Sequence, residues 1–384
     1  MRDIIKAKVE RGERITTEEG LWLLTKANLQ DLASFASVWR YRHNPQNYVT
    51  FVVDTNLNYT NVCDAYCTFC AFYRVKGDKE AYTYTVDEML VKLGEAMKKG
   101  VTTVLLQGGL NSDLPLEYYE ELVRRSLETY APAGLHAHFF SAPEIQKMAQ
   151  VSGLPLHDVL QRLHNAGLRS LPGGGAEVLS DRVKHKVSRL FPKGNVKSWT
   201  DVHREAHKVG IRSTATMMYG HMDNDEDTIE HMDHVRKLQD ETKGFTAFVP
   251  WSFSKGNSAL SKKVKEEAGP TKYLRVIATS RIFLDNFQHI QASWFSEGKK
   301  TGEVALHFGG DDFGGTLFDE NVMLASGFYN RTTVEEVVQM IREAGFKPAQ
   351  RTTLYEIIRR WEDESAAAKA KVKIPVQAAA RAGN

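Results

Sequence analysis

Cys63-Asp-Ala-Tyr-Cys67-Thr-Phe-Cys70 is the stretch that decides the fold class of this chain, and it contains every cysteine of the 384 residues. An apolar run at residues 50–53 precedes it. Three thiolates at the spacing C-x3-C-x2-C can hold three corners of a cubane iron–sulfur cluster and leave the fourth iron without a protein ligand. Because an open coordination position is typical of a reactive metal centre, we expect this loop to carry chemistry.

This cysteine spacing resembles the signature of the radical S-adenosylmethionine (SAM) enzymes. The resemblance implies a 4Fe–4S cluster bound by Cys63, Cys67 and Cys70. In those enzymes the open iron binds the amino and carboxylate groups of SAM, and one electron cleaves the sulfonium to give a 5′-deoxyadenosyl radical. The implied cofactors are therefore the cluster and SAM.

Zinc binding and disulfide formation are the other uses of three clustered thiols. Three cysteines with a histidine could bind zinc, and a small redox cluster could take its fourth ligand from outside the chain. Zinc sites usually combine two separated ligand pairs, and the sequence has no further cysteine pair. A disulfide framework is disfavoured by the odd number of cysteines and by a first segment without the apolar core of a signal peptide.

The composition is that of an ordinary globular protein, with 42% hydrophobic and 26% charged residues. No apolar run approaches the roughly 20 residues of a membrane span. The formal net charge is +2, from 50 basic and 48 acidic residues, which gives no electrostatic argument for a nucleic-acid partner. We expect a cytoplasmic protein with a small-molecule substrate and with neither a membrane nor a nucleic acid as partner.

Short apolar runs alternate with helical stretches along most of the chain. A strand followed by a helix, repeated eight times, predicts a (β/α)8 TIM-type barrel. In such barrels the chemistry lies at the carboxyl ends of the strands, and the cysteine motif follows the first run. Ser141-Ala-Pro-Glu144 fits a helix-capping box. The predicted strands are residues 50–53, 101–106, 135–140, 168–171, 213–219, 245–251, 290–294 and 304–308. The predicted helices include residues 86–99, 116–130, 155–166, 199–209, 226–241 and 271–287.

Four segments are predicted from this pattern. The barrel at residues 49–315 carries an N-terminal helical extension at residues 1–48 and a C-terminal helical segment at residues 316–364. Residues 365–384 are rich in Ala and Lys and are predicted to be a disordered tail. The C-terminal segment is predicted to contain helices at residues 333–344 and 351–364.

Residues at the predicted strand ends are the candidates for SAM binding. Phe69 lies between two cysteines and could pack on the SAM adenine or fill the barrel mouth. Gly108 and Gly109 end the second strand, where glycine lets backbone approach a ligand closely. Glu177 ends a glycine-rich turn after the fourth strand and could accept a hydrogen bond from a ribose hydroxyl.

Arg182 and His203 are candidates for the SAM carboxylate, with a surface salt bridge as the alternative for Arg182. A second group of residues could bind substrate or act as a base, since each has a titratable side chain on or after a strand. For the histidines the alternative is a hydrogen-bonded core pair, and for the aspartates it is a flexible acidic turn. The group consists of His136, His138, Asp311 and Asp312.

Longer motifs resemble the radical SAM enzymes of the futalosine menaquinone pathway, over roughly residues 48–345. The motifs are Asn56-Leu-Asn-Tyr-Thr-Asn-Val-Cys63, Leu106-Gln-Gly-Gly-Leu110, Ser170-Leu-Pro-Gly-Gly-Gly-Ala-Glu177 and Ala215-Thr-Met-Met-Tyr-Gly-His221. Phe248-Val-Pro-Trp251 and Gly310-Asp-Asp-Phe-Gly314 are most similar to the cyclic dehypoxanthine futalosine synthases of that pathway. Gly315 departs from the Ser expected there.

The resemblance implies a cyclisation. The adenosyl radical would abstract the ribose C4′ hydrogen of dehypoxanthine futalosine, and the C4′ radical would add to the aromatic ring. The adduct must then lose one electron and one proton, the latter to one of the four candidate bases. An arginine or lysine should hold the benzoate carboxylate, and an external donor of the flavodoxin or ferredoxin type should supply electrons.

Two other functions remain open. Aminofutalosine synthases add the adenosyl radical to an enolpyruvyl benzoate, so adenosine atoms stay in their product, whereas the cyclases release free 5′-deoxyadenosine. A non-catalytic iron–sulfur protein would hold a cluster that never cleaves SAM. The predicted barrel with glycine-rich strand ends argues against this last function, because an electron carrier needs no such cavity.

Overall fold

The structure, a computed structural model, describes residues 1–188, 194–329 and 331–361. Within those residues, strands alternate with α-helices and with three short 3-10 helices at Ala131–Ala133, Leu260–Lys262 and Leu306–Phe308. The strands are β1 (Tyr48–Val52), β2 (Asp54–Leu57), β3 (Thr103–Leu106), β4 (His136–Phe139), β5 (Ser170–Leu171), β6 (Arg212–Tyr219), β7 (Phe245–Ser252), β8 (His289–Ile290), β9 (Asp312–Gly315), β10 (Lys347–Arg351) and β11 (Ile357–Arg360). The helices are α1 (Arg2–Arg11), α2 (Thr17–Thr25), α3 (Leu29–His43), α4 (Val86–Lys98), α5 (Leu116–Tyr130), α6 (Ala142–Ser152), α7 (Leu156–Asn165), α8 (Asp181–Val187), α9 (Val196–Lys208), α10 (Asp225–Thr242), α11 (Gly269–Phe283), α12 (Trp294–Glu297), α13 (Lys299–Ala305), α14 (Asn321–Ala325) and α15 (Val334–Glu343).

Seven parallel strands form a curled sheet in the order β2-β3-β4-β5-β6-β7-β8. β9 continues the curl, because it pairs in parallel with β1 and because one parallel bridge joins Gln291, just after β8, to Asp312. β1 and β2 are consecutive segments interrupted at Val53, so the first strand of the barrel contacts both β3 and β9. This arrangement confirms the predicted TIM-type α/β fold.

Helices cover the outer face of the sheet and bury their apolar sides against it. On α7 the buried side chains are Val159, Leu160 and Leu163, which recur at helical spacing on one face. Helix α6 begins with the predicted capping box, in which the Ser141 N–H donates to the Glu144 carboxylate at 2.7 Å. No helix in the described parts of the chain is both long enough and apolar enough to cross a bilayer.

Helices α1, α2 and α3 lie within the predicted N-terminal extension. Helix α3 packs against α11, and α2 packs against α10 and α11. Leu23, Leu32 and Trp39 are buried in that contact region. The extension therefore covers the helices on one side of the barrel and lies outside the sheet.

The eighth strand was predicted at the wrong residues. Residues 304–308 belong to the end of α13 and to a 3-10 helix, in which Ala305 and Leu306 are buried while Val304 is exposed. The strand is β9, whose Asp-Phe-Gly-Gly composition is typical of a turn. Its pairing with β1 overrides that local preference, because the fully buried segment fills the gap in the barrel.

The C-terminal segment contains both helices and strands, whereas only helices were predicted there. Helix α15 confirms the helix predicted at residues 333–344. The helix predicted at residues 351–364 is wrong over its described part, because β10 and β11 form an antiparallel hairpin that pairs with β1. Residues 362–384, including the predicted tail, lie outside the described residues.

Candidate active site

The three cysteines lie on one loop that follows β2 at the carboxyl end of the sheet. Cys67 is buried, and Cys63 and Cys70 are half-buried. The loop is tied by backbone contacts, since the Cys63 N–H donates to the Arg74 carbonyl at 3.1 Å and Cys67 bridges to Ser188. The sequence thus folds into a fixed loop that carries three thiols at the barrel mouth, as predicted.

Gly108 and Gly109 let the end of β3 approach the cysteine loop. A Cβ atom on Gly109 would lie 2.1 Å from the Val62 carbonyl oxygen and 2.9 Å from the Cβ of Cys63. On Gly108 it would lie 2.5 Å from the ring of Tyr59. These contacts are with protein, so the glycines are needed first to support the cysteine loop, and their predicted contact with SAM stays a prediction.

Glu144 connects this strand end to helix α6, and sequence analysis identified it only as a helix cap. Its carboxylate accepts hydrogen bonds from the Tyr59 hydroxyl at 2.6 Å and the Gly108 N–H at 2.9 Å, in addition to Ser141. The side chain is buried, and burial raises its pKa above the usual value. The capping box therefore also fixes the residues that pack against the cysteines.

A cavity of about 300 Å³ occupies the barrel interior next to the cysteine loop. Phe69 lines it at the loop, and Arg351 and Tyr355 of the C-terminal hairpin line the opposite end. The wall is mostly apolar, with a few polar groups pointing inward, as expected of a small-molecule site. The polar and charged side chains of the wall include Asp54, Asn56, Gln107, His138, Glu177, Gln291 and Glu320.

Glu177 lines this cavity in a strained conformation. Its φ of 44° lies in the left-handed region that a non-glycine residue rarely adopts. Buried Lys184 holds the turn, because its Nζ donates to the Gly175 carbonyl at 2.9 Å and lies 3.7 Å from the Glu177 carboxylate. The position at the mouth agrees with the predicted contact to a ribose, which stays a prediction.

His136 and His138 share one partner on the neighbouring strand. The His136 Nε2 lies 2.8 Å and the His138 Nδ1 lies 2.7 Å from the Ser170 hydroxyl. Burial lowers the pKa of His136 to about 4 and that of His138 to about 3, so both rings are neutral near pH 7. Only His138 is among the residues that line the cavity.

Asp311 and Asp312 lie at the amino end of β9, away from the cysteine loop, and both are buried in ion pairs. Asp311 binds Arg281 and His289, while Asp312 binds Arg351 in a two-point contact at 2.5 and 2.9 Å. Burial alone would raise the pKa of Asp311, but the charges of Arg281 and His289 lower it to about 2. Neither aspartate lines the cavity. The structure shows two buried ion pairs at the position where a flexible acidic turn or a base was predicted.

Arg182 and His203 also lie outside the cavity wall. Arg182 pairs with Asp227 near the surface, which is the alternative considered for it. His203 is fully buried on α9, and its Nδ1 lies 2.9 Å from the Ser213 hydroxyl, which His207 also contacts. The structure thus brings neither residue to the site where a SAM carboxylate was expected.

Two family models match the chain. The model of the radical SAM superfamily matches residues 57–235, and the model of the CofH/MqnC C-terminal region matches residues 242–364. A cyclic dehypoxanthine futalosine synthase of Halalkalibacterium halodurans is 41% identical over 367 residues, which cover 96% of this chain and 98% of the relative. The chain belongs to the radical SAM superfamily.

Two further relatives are similar to this chain at comparable levels of identity, and a solved structure shares its fold. An aminodeoxyfutalosine synthase of Thermus thermophilus is 36% identical, over 93% of this chain and 96% of the relative. A 5-amino-6-(D-ribitylamino)uracil–L-tyrosine 4-hydroxyphenyl transferase of Methanopyrus kandleri is 41% identical, over 81% of this chain and 85% of the relative. The FeFe-hydrogenase maturase HydG of Carboxydothermus hydrogenoformans shares the fold, with a TM-score of 0.72 and 17% identity over 92% of this chain and 80% of that one.

Radical SAM enzymes use a 4Fe–4S cluster and SAM, and the donor set of this chain fits them. The three cysteine thiols on one loop are soft ligands of the kind that iron–sulfur clusters require. No group of three or more His, Cys, Asp or Glu side chains in the described residues surrounds one point as a single metal ion requires. A cubane has no such requirement, since each thiolate binds a different iron atom.

Three residues that line the barrel interior were not identified as candidates from the sequence. Asp54 is a buried carboxylate and Glu320 a half-buried carboxylate of the cavity wall. Arg351 is the one arginine or lysine that lines the cavity among the described residues. Asp54 directly follows an apolar run, a position that could have been identified as a strand interior. Glu320 and Arg351 come from the C-terminal segment, and nothing in their local sequence indicates that they reach the barrel.

Proposed function

We propose that this protein converts dehypoxanthine futalosine to cyclic dehypoxanthine futalosine in the menaquinone pathway, in the cytoplasm. The observation that carries the proposal is the 41% identity to a synthase of that name over 96% of the chain. The mostly apolar cavity beside the cysteine loop supports it, since a substrate radical must be kept from water. An external donor of the flavodoxin or ferredoxin type would supply the electrons for this reaction.

The cysteine loop and the cavity mouth would hold the cofactors. Cys63, Cys67 and Cys70 would bind the cluster, and Phe69 and Glu177 lie where the bound SAM could be contacted. When bound, the cluster and SAM supply a one-electron reduction and a 5′-deoxyadenosyl radical. The protein's part is to orient the ribose C4′ toward that radical and to exclude water.

Arg351 is our candidate for the group that binds the benzoate carboxylate. Its guanidinium has five N–H donors, of which two bind Asp312 and one binds the Thr352 carbonyl. Two donors remain, and the side chain lines the closed end of the cavity. A carboxylate there would gain charge-assisted hydrogen bonds in a buried setting, where they are strong.

Apolar side chains from neighbouring strands form the walls between these two ends. They would hold the aromatic ring of the substrate by contact and keep solvent from the reacting carbon. The apolar wall residues include Leu105, Met218, Val249, Trp251 and Phe295.

An anaerobic product analysis tests the proposal. The protein is reconstituted with iron and sulfide, and SAM, a strong reductant and dehypoxanthine futalosine are added. We expect a product lighter than the substrate by two hydrogen atoms, with matching amounts of 5′-deoxyadenosine and methionine. Free 5′-deoxyadenosine without that product would contradict the substrate assignment, and an intact cluster that never cleaves SAM would contradict the enzyme class.

Aminofutalosine synthesis is the second candidate, because a synthase for that reaction is 36% identical over 93% of the chain. The same assay with an enolpyruvyl benzoate separates the two activities. Isotopic label from the adenosine part of SAM would appear in the product of an aminofutalosine synthase. With the cyclase it would appear only in 5′-deoxyadenosine.

A further inference from the structure

Asp54 is a buried carboxylate of the cavity wall without an ion-pair partner among the described residues. It lies in β2, is 4% exposed and faces the cavity. Its Oδ1 accepts a hydrogen bond from the Leu317 N–H at 2.8 Å. The carboxylate lies against the backbone of Gly315, where a Cβ atom would come within 2.1 Å of its oxygens. Gly315 therefore provides the space that this side chain occupies.

The other carboxylates near the cavity have their lone pairs engaged. Glu320 accepts from the Asn56 amide and from the Val322 and Met323 N–H groups at the start of α14. Glu177 lies beside the buried Lys184. Asp312, behind the closed end, is bound by Arg351. Asp54 thus has the most available acceptor oxygens among the carboxylates in this part of the structure.

The surroundings of Asp54 also suit proton uptake near neutral pH. Burial raises the pKa of Asp54 to about 7, against the lowering effects of the Leu317 N–H and the Arg351 charge. Glu320 and Asp312 raise it further, and His138, which lines the same cavity, is neutral near pH 7. A base of this strength exchanges a proton effectively at physiological pH.

We propose that Asp54 is the base that takes the ring proton when the cyclised adduct regains aromaticity. The assignment rests on the proposed function. In this step the C–H bond of the tetrahedral ring carbon breaks, and its proton goes to the Asp54 carboxylate. The electron pair of that bond completes the aromatic sextet, and the unpaired electron leaves to a one-electron oxidant of the iron–sulfur class.

Asp54→Asn is the first test, because Asn keeps an oxygen for the Leu317 N–H but cannot take a proton. We expect the rate of cyclic product formation to fall by about 100-fold or more, while 5′-deoxyadenosine is still released, so that the ratio of deoxyadenosine to product rises. Substrate affinity, measured by equilibrium dialysis without reductant, should change little. Asp319→Asn is the matched control, since Asp319 pairs with Lys99 outside the cavity, and it should keep the wild-type ratio.

A pH profile and a second variant separate catalysis from structure. The wild-type rate should rise with pH through the region near 7, as the carboxylate becomes ionised, and this limb should be absent in Asp54→Asn. Asp54→Glu should recover part of the rate, with an increased isotope effect when the ring is deuterated. An unchanged product ratio and pH limb in Asp54→Asn would overturn the assignment alone. Absence of the cyclic product from the wild-type protein would overturn the proposed function and the assignment with it.

Discussion

Replacing Glu144 by Ala should strongly destabilise the protein, because one carboxylate satisfies four donors. These donors are the Tyr59 hydroxyl, the Gly108 N–H, and the N–H and hydroxyl of Ser141, at 2.5–2.9 Å. A buried donor without a partner costs about 1–3 kcal/mol, and the serine hydroxyl can rotate to another acceptor, so the three remaining donors predict a loss of about 3–9 kcal/mol. That loss is a large fraction of the roughly 5–15 kcal/mol that stabilises a typical domain.

Urea unfolding of the cluster-free, reduced protein, followed by circular dichroism, measures this loss. Tyr59→Phe is the matched partner, since it removes one of the four donors and leaves the ring. In the double variant the Tyr59 hydroxyl is absent and cannot be left without a partner. The loss of unfolding free energy in the double variant should therefore be smaller than the sum of the two single-variant losses by about 1–3 kcal/mol. A loss below about 1 kcal/mol for Glu144→Ala, or strict additivity with Tyr59→Phe, would refute the hydrogen-bond argument.

Three further outcomes are expected around the same site. Cys67→Ala should abolish both iron incorporation and turnover, and full activity in that variant would contradict the cluster assignment. Gly109→Ala should lower the iron bound per chain without changing the circular dichroism of the barrel, because the new Cβ would lie 2.1 Å from the Val62 carbonyl oxygen; normal iron content would show that the loop can move. Arg351→Lys should raise KM for the substrate by roughly 10–100-fold, since lysine cannot bind Asp312 and a benzoate in the same geometry, and an analogue without the carboxylate should be affected much less; equal effects on both would exclude the contact.

Most of the barrel was predictable because its strands and helices carry strong local patterns. The helices after β3 and β6 begin and end close to the residues predicted, since their apolar residues recur at helical spacing. β9 was missed because its Asp-Phe-Gly-Gly sequence has a turn composition, and only pairing with β1 makes it a strand. The hairpin of β10 and β11 was missed for the same reason, since β10 forms against β1, which is distant in the sequence.

The position of the cysteine loop at the barrel mouth was predictable from the sequence alone, and the barrel interior was not. Cysteine spacing within eight residues is local information, whereas the partner of a charged residue depends on the fold. Asp311 and Asp312 are adjacent in the sequence, yet each pairs with a different arginine. Asp311 pairs with Arg281 on α11, and Asp312 pairs with Arg351 on β10. Asp54 has no such partner and was passed over because a single Asp after an apolar run has no recognisable motif.

The two ends of the cavity come from different parts of the chain, which bears on substrate choice. The cysteine loop and the glycine-rich turn before Glu177 form the mouth, where every radical SAM enzyme must bind the same cofactors. Arg351 and Tyr355 form the closed end, and the hydroxyl of Thr353 ties that hairpin to Thr103 at 2.6 Å. In the proposed function the reaction begins at the mouth and the substrate extends inward, so the hairpin residues would contact the part of the substrate that differs between relatives. Exchange of the hairpin between relatives should therefore change KM and substrate preference while SAM cleavage persists.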